Sequence, residues 1–434
     1  MPLHRVYIGA GTNIGDRIEN LTLAGQLLAP TVKILRTSAV YRTEPWGFSD
    51  QEEFFNLVWE AETSLSPEDT LNYLKQIERR IGREETFRYG PRVIDLDILL
   101  YDTLILETDS LTIPHVQIPQ RRFVLEPLCD LIPNEKHPKL GRTWQQILAE
   151  APKLGIQKLA QPLNLAAPVV RWGTKTYLMG ILNLTRDSFS GDGLIKANEV
   201  SHETLAQKAE SFIENGADIL DFGAESTRPG YSAVSAEEEM QHLIPAIKAV
   251  RKQIPDILIS VDTSKAAVAD AALNAGADWI NDVGGGIRDP QMCSVALAHN
   301  ARIVLMRSEP LSGSFETMPQ VIRELITILS QVEEKNLHPE QIILDPGIGF
   351  GTSARQNLDI LRNLEELKLL GYPILVGTSR KSFLGAYLQK EVGSRLAGTA
   401  ASVTLAIQNG ADIVRVHDVE FMKDIVRLTD LILR

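Results

Sequence analysis

The chain has 434 residues, 44% of them hydrophobic and 23% charged, with a formal net charge of −12. This length exceeds the size at which one hydrophobic core keeps growing, which predicts two domains. The acidic excess argues against nucleic acid and anionic membranes as partners, and the only cysteines, Cys129 and Cys293, lie too far apart in sequence to suggest a disulfide framework. Residues 1–16 lack the apolar core of a signal peptide and no run of about 18 apolar residues is present, so we expect a cytoplasmic protein.

The most informative segment of the N-terminal half is residues 93–101, VIDLDILLY, whose apolar character predicts a strand. Residues two apart on a strand face the same side, so Asp95 and Asp97 project together from a segment apolar enough to be buried. Neighbouring carboxylates in a low dielectric repel each other, and a divalent cation that prefers oxygen ligands, Mg²⁺, resolves the repulsion. The alternative is an edge strand with both carboxylates in water.

Basic side chains surround this strand in the sequence. Arginines beside a metal-binding pair of carboxylates suit a nucleoside triphosphate, whose charge metal ions and guanidinium groups neutralise together. The residues are Arg83, Arg88, Arg92, Arg121, Arg122 and His115. A P-loop is not expected, because GAGTNIGD at 9–16 lacks the GK[ST] ending.

Several motifs of this half together resemble 6-hydroxymethyl-7,8-dihydropterin pyrophosphokinase over residues 4–150: IGAGTNIGDR, YRTEPWG, FFNLV, IERRIGR, RYGPRVIDLDILLY and IPHVQIPQRRFVLEPL. The resemblance implies a ferredoxin-like α+β fold and an enzyme that moves the terminal pyrophosphoryl group of ATP onto the pterin hydroxymethyl group, leaving AMP. By matched position it implies two Mg²⁺ ions at Asp95 and Asp97 and a catalytic loop with Arg83 and Arg88. The implied pterin pocket is formed by Thr43, Asn56 and Phe123, with Phe54 as a further aromatic side chain. The implied nucleotide contacts are Glu78, Arg88, Arg92, His115 and Arg121. Two positions depart from the family: Glu85 stands where some members have a second arginine, and Tyr89 stands at a tryptophan position.

A proline-rich joint separates the two halves. Residues 152–168, PKLGIQKLAQPLNLAAP, contain three prolines and no strong hydrophobic period, which favours an extended connector. We therefore predict a first domain over 1–155, a linker over 156–171 and a second domain over 172–434.

The C-terminal half contains eight short β-branched runs, each followed by a helix-like stretch. Gly216, Gly276 and Gly410 lie between a helix and the next run, where a glycine can take the left-handed conformation that ends a helix. Strands that alternate with helices predict parallel pairing, and eight such units have the size of an α/β (β/α)₈ TIM barrel; a doubly wound open sheet is the alternative. The runs are 176–185, 218–227, 257–264, 278–286, 301–308, 341–350, 372–381 and 412–419.

Each of these runs ends in unusual polar chemistry. A barrel builds its active site at the rim where the strands end, so we expect these side chains to meet there. They offer acceptors for a ring rich in N–H donors and cations for an anion; taken singly, each could instead be a helix cap or a buried polar residue satisfied by a neighbour. The residues are Asn183, Asp221, Asp262, Asn281, Arg307, Asp345, Lys381, Arg415 and His417.

The motifs of this half together resemble dihydropteroate synthase over 172–434: MGILNLTRDSFSGDG, DFGAESTRPG, VDTS, NDVGG, LDPGIGFG, VGTSRKSFLG and VRVHDV. The resemblance implies an enzyme that joins a pterin pyrophosphate to p-aminobenzoate and releases pyrophosphate. By matched position it implies pterin contacts at Asp262, Asn281, Asp345 and Lys381, with Asp221 and Met306 nearby. The implied pyrophosphate contacts are Asn183, Thr227, Arg228, Arg415 and His417, with Mg²⁺ near Asn183. The implied aminobenzoate pocket is formed by Asp187, Phe189, Pro229 and Ser379. In two places the chain departs from the family: Arg186 replaces a usual proline, and Arg307-Ser308 replaces a frequent His-Met pair. We expect each extra cation either to add a phosphate contact or to lie in solvent.

The two implied reactions are consecutive, because the product of the first is the substrate of the second. We therefore predict a bifunctional transferase of folate biosynthesis that uses ATP, the hydroxymethyl-dihydropterin and p-aminobenzoate, with Mg²⁺, and that forms a homodimer through the barrel, as the resembled synthase commonly does. One alternative is a methyltetrahydrofolate-binding methyltransferase barrel, which has no use for Arg415 and His417 at a pyrophosphate site. Another is a non-catalytic pterin-binding module, against which Asp95, Asp97 and Lys381 count.

Overall fold

The computed structural model describes residues 2–29, 31–48, 50–84, 90–163, 165, 169–184, 195–196, 199–200, 202–225, 234–307, 309–311 and 317–434. The chain forms two compact units, Met1–Val169 and Val170–Arg434. No helix within the described ranges is long and apolar enough to cross a membrane. Several residues discussed above lie outside those ranges: Glu85, Arg88, Tyr89, Arg186, Asp187, Phe189, Thr227, Arg228, Pro229 and Ser308.

The first unit is built on one antiparallel sheet with helices on both faces. Its strands are β1 (His4–Thr12), β2 (Val32–Thr37), β3 (Ala39–Thr43), β4 (Phe54–Thr63), β5 (Asp95–Tyr101), the short β6 (Leu106–Glu107) and β7 (Thr112–Ile113), and β8 (Ile156–Pro162). Its helices are α1 (Arg17–Leu28), α2 (Pro67–Ile81), α3 (Arg122–Leu131) and α4 (Trp144–Glu150), with a 3₁₀ turn at Ile118–Gln120. The sheet order is β5-β1-β4-β3-β8, with β2 also pairing β4.

Alternation along the strands explains the two helical layers of this unit. Ile8 of β1 packs with residues of α1 and α2, whereas its neighbour Tyr7 packs with residues of α3 and α4. Successive side chains of a strand point to opposite faces, so each face of the sheet has its own core. The ferredoxin-like α+β fold predicted for this half is confirmed.

The predicted linker over 156–171 needs correction in its first half. Residues 156–162 form β8, which pairs antiparallel with β3 and brings Tyr41 opposite Lys158. Leu159 is buried in the core of the first unit. Pro152 precedes this strand and Pro162 ends it, and β8 is an edge strand, where proline is tolerated. The prolines therefore bound a strand that the sequence pattern did not predict.

The second unit is the predicted eight-stranded parallel barrel. Its strands are β9 (Tyr177–Asn183), β12 (Ile219–Gly223), β13 (Leu258–Asp262), β14 (Trp279–Asp282), β15 (Arg302–Met306), β16 (Ile342–Asp345), β17 (Leu375–Val376) and β18 (Ile413–Val416), and a small hairpin is formed by β10 (Ile195–Lys196) and β11 (Glu199–Val200). The order is β16-β15-β14-β13-β12-β9-β18-β17, and a parallel bridge from Leu344 to Ile374 joins the two ends. This closure excludes the open doubly wound sheet.

Helices surround the barrel strands. They are α5 (His202–Glu214), α6 (Ala236–Gln253), α7 (Ala266–Ala275), α8 (Met292–His299), α9 (Thr317–Glu333), α10 (Ala354–Arg362), α11 (Ser382–Leu388), α12 (Leu396–Gln408) and α13 (Val419–Leu433), with 3₁₀ turns at Pro339–Gln341, Leu364–Leu370 and Val392–Ser394. Gly276 ends α7 at φ +113°, which confirms the left-handed turn predicted there.

The barrel interior changes character along each strand. Ile219, Trp279 and Ile343 belong to the apolar cluster that fills the barrel near the strand starts. Two residues further along, on the same inward face, stand Asp221, Asn281 and Asp345. The period of two therefore delivers polar side chains to the rim while the lower layer stays apolar.

Candidate functional site

A pocket in the first unit gathers most of the residues predicted for the pyrophosphokinase site. It is open to solvent on one side and has three aromatic side chains, Trp46, Phe54 and Phe123, in its wall. Its other lining residues include Gly9, Gly11, Thr43, Asn56, Arg92, Asp95, Asp97 and Arg121. Three further predicted residues do not line the pocket: Arg83 contacts Asp95, Glu78 contacts Arg83, and His115 acts electrostatically on Asp97. Arg122 pairs instead with Glu126 at 2.8 Å.

Asp95 and Asp97 lie on β5 opposite two glycines of β1. Gly11 is the cross-strand partner of Asp95, and Gly9 is the partner of Asp97. Directly opposed residues of an antiparallel pair share a face, so both glycines line the same pocket as the two carboxylates. The motif GAGTNIGD thus contributes an open strand surface, and its last residue, Asp16, caps α1 by accepting the Glu19 N–H at 2.9 Å.

The two carboxylates differ sharply in their surroundings. Asp95 accepts from Arg83 at 2.5 Å and from Arg92 at 2.6 Å. Burial alone would raise the pKa of Asp95, but Arg92, Arg83 and Lys75 together hold that pKa below its ordinary value. Burial, and next the charge of Asp95, raise the pKa of Asp97, with only weaker opposition from His115. Although β5 is an edge strand, the alternative of two carboxylates simply in water does not describe this arrangement.

These two aspartates fit a divalent cation. The raised pKa of Asp97 marks a carboxylate whose negative charge lacks a sufficient counter-charge. Across the described ranges no group of three or more His, Cys, Asp or Glu side chains is arranged to hold a metal ion. Mg²⁺ usually takes only one or two carboxylates and fills its shell with waters and phosphate oxygens, so a pair is sufficient.

Glu78 anchors the arginine beside Asp95. Its buried carboxylate accepts from Arg83 at 2.5 Å, from Lys75 at 2.8 Å and from the backbone N–H of Leu96 at 2.7 Å. Glu78 therefore fixes α2 to β5 and orients Arg83. The sequence predicted Glu78 as a nucleotide contact, whereas its buried carboxylate is occupied by these protein partners, and we therefore assign it a positioning role.

His115 and Arg121 stand near Asp97. His115 accepts the Gln117 N–H on Nδ1 at 3.3 Å, so its neutral ring carries the proton on Nε2. Burial lowers the pKa of His115, Asp97 opposes that shift, and Arg121 adds to it. The Arg121 guanidinium lies 5.6 Å from the ring centroid of Phe123.

The polar end of this pocket is held by a buried pair. Asn56 donates through Nδ2 to Oγ1 of Thr43 at 2.7 Å. A Cβ atom at Gly11 would lie 2.8 Å from Oδ1 of Asn56, so only glycine leaves that oxygen undisturbed. Thr43 and Asn56, both predicted for the pterin, thus form one fixed polar surface.

The barrel rim has Arg415 at its centre. Its Nε donates to Asp221 Oδ2 at 2.6 Å, and its Nη2 donates to Asp262 Oδ2 at 2.8 Å. Asn281 also donates to Asp221, at 3.2 Å. The other oxygen of each aspartate, Oδ1, is buried and has no hydrogen-bond partner among the residues that the structure describes. Buried acceptors without partners are costly, so both oxygens are suited to N–H donors of a ligand.

Burial and neighbouring carboxylates alter the protonation of Asp262. Burial raises its pKa to about 7; Arg415 opposes the shift, and Asp221 reinforces it. The carboxyl is therefore poised to change charge near neutrality.

Lys381 and Asp345 form a second group at the rim. The Lys381 ammonium donates to the backbone carbonyl of Ile348 and lies 4.7 Å from the ring centroid of Phe350. Burial lowers the pKa of Lys381 to about 8, although Asp345 favours the charged form. Asp345 accepts the Gly347 N–H at 2.7 Å, and burial raises its pKa.

The remaining predicted rim residues within the described ranges lie at neighbouring strand ends. Ser379 and His417 lie against each other, with 3.0 Å between Ser379 Oγ and His417 Nδ1. Met306 is buried at the end of β15 in register with Asp345. Asn183 ends β9 in register with Gly223, whose other strand partner is Asp262.

Arg307 does not follow either expectation from the sequence. It is fully buried and pairs with Glu324 of α9 at 2.7 Å, so it neither lies in solvent nor faces the open rim as an added phosphate contact. Its partner Glu324 was not identified from the sequence, because no local pattern links that residue to the site; its other partner, Phe350, lies in the LDPGIGFG motif but was given no role.

Two family models match the chain. Residues 7–133 match 7,8-dihydro-6-hydroxymethylpterin-pyrophosphokinase, and residues 179–417 match pterin binding enzyme. The "Folic acid synthesis protein fol1" of Pneumocystis carinii is 38% identical over 98% of this chain, which spans 60% of that protein's length. The "Folate synthesis bifunctional protein, mitochondrial" of Arabidopsis thaliana is 36% identical over 99% of this chain and 83% of its own length.

Solved structures resemble the barrel. A dihydropteroate synthase from Clostridium difficile, crystallised in the presence of pteroic acid, is 43% identical, covers 61% of this chain and 98% of its own, and has a TM-score of 0.57. The Xanthomonas albilineans dihydropteroate synthase with 4-aminobenzoic acid is 35% identical, covers 59% of this chain and 93% of its own, and has a TM-score of 0.55.

Proposed function

This chain belongs to the bifunctional folate synthesis enzymes, transferases that combine a pyrophosphokinase domain with a dihydropteroate synthase domain, and we propose that its two units catalyse those two reactions in succession. The first unit transfers the terminal pyrophosphoryl group of ATP to 6-hydroxymethyl-7,8-dihydropterin. The barrel joins the product to p-aminobenzoate. The observation that carries the proposal is the presence in one chain of two sites: a pocket with two aspartates, which suits the first reaction, and a rim whose buried acceptors have no partner among the described residues, which suits the second.

In the first unit, we assign the phosphate chemistry to the charged end of the pocket. Asp95 and Asp97 would hold Mg²⁺, which neutralises phosphate charge and polarises the reacting phosphoryl group. We assign Arg83 and Arg92, both hydrogen-bonded to Asp95, to the phosphates of ATP, which guanidinium groups bind well. We assign Arg88, Arg121 and His115 to the same nucleotide, with Glu78 as the support of Arg83.

The pterin of the first reaction lies between Phe54 and Phe123 in this proposal, with its polar edge against Asn56 and Thr43. Its hydroxymethyl oxygen attacks the β-phosphorus of ATP. The bond from that phosphorus to the oxygen of AMP breaks, and the hydroxyl proton is lost to solvent. Catalysis then depends on positioning and charge stabilisation, because no covalent nucleophile is needed.

In the barrel, the acidic rim residues bind the aminopyrimidine edge of the pterin. Asp345, Asp262 and Asp221 are acceptors for its N–H groups; Asn281 and the Lys381 ammonium complete the contacts, and Met306 packs beside the ring. The ring and its CH₂ group acquire cationic character as pyrophosphate leaves. Buried carboxylates next to the ring favour that charge.

The departing pyrophosphate is stabilised by the cations of the rim. We assign this role to Arg415 and His417, and also to Thr227 and Arg228. Asn183 would hold Mg²⁺ through its amide oxygen, and the ion would neutralise charge on the leaving pyrophosphate. The amine of p-aminobenzoate attacks the CH₂ carbon, the bond from carbon to the pyrophosphate oxygen breaks, and the amine gives up one proton. We assign the aminobenzoate pocket to Asp187, Phe189, Pro229 and Ser379.

We propose a homodimer formed through the last helices of the barrel. Their outer sides carry exposed apolar residues that a monomer would leave in water: Tyr387, Leu388, Leu405, Phe421, Leu428, Leu431 and Ile432. Sedimentation of the full chain should give a dimer, and Leu428→Glu should give a monomer. A wild-type monomer at micromolar concentration would contradict this state.

We also propose a cytoplasmic location, although the Arabidopsis relative above and one from Pisum sativum are named as mitochondrial. Fractionation of cells that express the tagged natural gene tests the location. Recovery with mitochondrial markers would overturn it.

Product formation by the purified chain tests the proposed function as a whole. With the hydroxymethyl-dihydropterin, ATP, Mg²⁺ and p-aminobenzoate it should yield dihydropteroate, AMP and pyrophosphate. Omission of p-aminobenzoate should leave the pterin pyrophosphate and AMP. Absence of dihydropteroate from an active first reaction would contradict the assignment of the barrel.

A further inference from the structure

Arg307 is a fully buried charge with two fixed partners. Its Nε lies 2.7 Å from Oε2 of Glu324, and its Nη1 donates to the backbone carbonyl of Phe350 at 3.2 Å. A buried guanidinium is costly unless it is paired and hydrogen-bonded, so these contacts hold it in one position. Arg307 thereby ties α9 to the loop that follows β16.

That loop, residues 346–351, packs directly on Arg307. Gly347 has φ +72°, and a Cβ atom there would lie 2.4 Å from the carbonyl oxygen of Arg307 and 3.4 Å from its Nη1. Gly349 and Gly351 also have positive φ, at +81° and +58°. Because glycine is the most permissive residue, the position of this loop depends on its contacts: the Phe350 N–H to the Gly347 carbonyl at 3.0 Å, the Gly349 N–H to Oδ1 of Asn357 at 2.8 Å, and the contacts with Arg307.

On its other side the same loop contacts Lys381 and Asp345, the two side chains that we assign to pterin binding. The carbonyl of Ile348 and the ring of Phe350 both face the Lys381 ammonium. A Cβ atom at Gly349 would lie 2.8 Å from Cδ of Lys381. Asp345 precedes the loop and accepts its Gly347 N–H, and the N–H of Arg307 points to the Asp345 carbonyl at 3.4 Å.

We propose that Arg307 is a positioning residue for pterin binding in the barrel: it fixes the 346–351 loop, which in turn holds the Lys381 ammonium and the Asp345 carboxylate in their binding positions. The inference rests on the proposed function, in which those two groups contact the pterin. Arg307 itself touches no substrate. The departure from the family's His-Met pair at 307–308 thus supplies an internal support for the site.

The contacts predict how the protonation of Lys381 responds to loss of this support. Asp345, Asp262 and Arg415 are the charged groups that act on Lys381. The Ile348 carbonyl and the Phe350 ring add two contacts that favour its charged form. Burial is the largest cause of the lowered pKa of Lys381, and a released loop changes both that burial and the two contacts, so the pH at which Lys381 loses its proton should change.

The test is Arg307→Met in the full chain, a substitution that removes the charge and fills the buried position with an apolar side chain of similar length. The KM for the pterin pyrophosphate should rise about tenfold or more, as expected when a binding group is displaced by a remote change. The alkaline limb of kcat/KM should move away from its wild-type position, and the KM for p-aminobenzoate should stay unchanged. The pyrophosphokinase rate of the same preparation serves as an internal reference. Arg362→Met, at an arginine whose side chain is 73% exposed on α10, is the matched control.

A second variant keeps the test decisive if Arg307→Met does not fold. Glu324→Gln removes the counter-charge of Arg307 from a partly exposed position and should change the same two quantities in the same direction, by a smaller factor. If the wild-type protein is active and a folded Arg307→Met or Glu324→Gln variant keeps the wild-type KM and the wild-type alkaline limb of kcat/KM, the inference about Arg307 is overturned. The proposed function of the barrel would be unaffected by that result. A wild-type protein that forms no dihydropteroate from the pterin pyrophosphate counts against the proposed function instead.

Discussion

Arg415 and Asp221 form an ion pair in which Nε lies 2.6 Å from an oxygen of a carboxylate with no exposed surface. The same guanidinium reaches Asp262 at 2.8 Å, so one cation orients two carboxylates on adjacent strands. Each aspartate keeps its second oxygen without a partner among the described residues. The pair therefore holds the acceptor groups of the barrel rim while leaving them available to a ligand.

Arg415→Met should remove both stability and activity from the barrel. It leaves two buried carboxylates without their main counter-charge, a change that costs about 3–5 kcal/mol when one partner of a buried pair is lost. Dihydropteroate synthesis should fall on the order of 100-fold or more. Addition of Asp221→Asn should recover part of the stability, measured by urea unfolding, and none of the activity. An Arg415→Met protein as stable as wild type would contradict the role of this pair.

Dihydropteroate synthesis should have a narrow pH optimum. Asp262, with a pKa of about 7, is ionised only above that pH, and Lys381, with a pKa of about 8, is charged only below that pH. If both charged forms bind the pterin pyrophosphate, kcat/KM rises through about pH 7 and falls through about pH 8. Asp262→Asn should remove the acid limb and leave the alkaline limb in place. A flat profile between pH 6 and 9 would contradict this assignment.

Gly11→Ala should weaken pterin binding in the first unit. The added methyl group would lie 2.8 Å from Oδ1 of Asn56 and must displace the side chain that holds Thr43. The KM for the hydroxymethyl-dihydropterin should rise about tenfold, the effect of displacing a positioned contact, while the KM for ATP changes little. Gly393→Ala, where no atom lies within 4 Å of the added carbon, is the control. Equal KM values for Gly11→Ala and wild type would show that Asn56 does not orient the pterin.

Leu159→Ala should destabilise the first unit. Leu159 of β8 is buried in the core of that unit, and removal of a buried leucine side chain costs about 2–5 kcal/mol. Calorimetry should show the unfolding transition of the first unit at a lower temperature and the transition of the barrel unchanged. Leu369→Ala, at a residue that is 87% exposed, should leave both transitions in place. No shift for Leu159→Ala would mean that residues 156–162 act only as a connector.

Local sequence patterns predicted the fold and much of the rim, because each predicted rim residue stands at the end of a β-branched run. Asp221, Asn281 and Asp345 each follow an apolar residue two positions earlier on the inward face of a strand, and that period is visible in the sequence. Asp95 and Asp97 were predicted in the same way from one strand. These inferences succeeded because the residues that define each pattern are close together in the chain.

Long-range contacts account for what the sequence analysis missed. Arg307 meets Glu324 17 positions away and Phe350 43 positions away, and no period relates them. Glu78 reaches the backbone of Leu96 through the packing of α2 on β5. The strand β8 forms because β3 offers a free edge, whereas its own composition suggested a connector.

The central claim is that one chain carries two separate sites, one that loads pyrophosphate onto a pterin and one that expels it. The most direct measurement compares both reactions in Asp97→Ala and Lys381→Ala, with preformed pterin pyrophosphate supplied to the second site. Asp97→Ala should abolish pyrophosphoryl transfer and leave dihydropteroate synthesis near the wild-type rate, and Lys381→Ala should do the reverse. Loss of both activities in either folded variant would contradict the account.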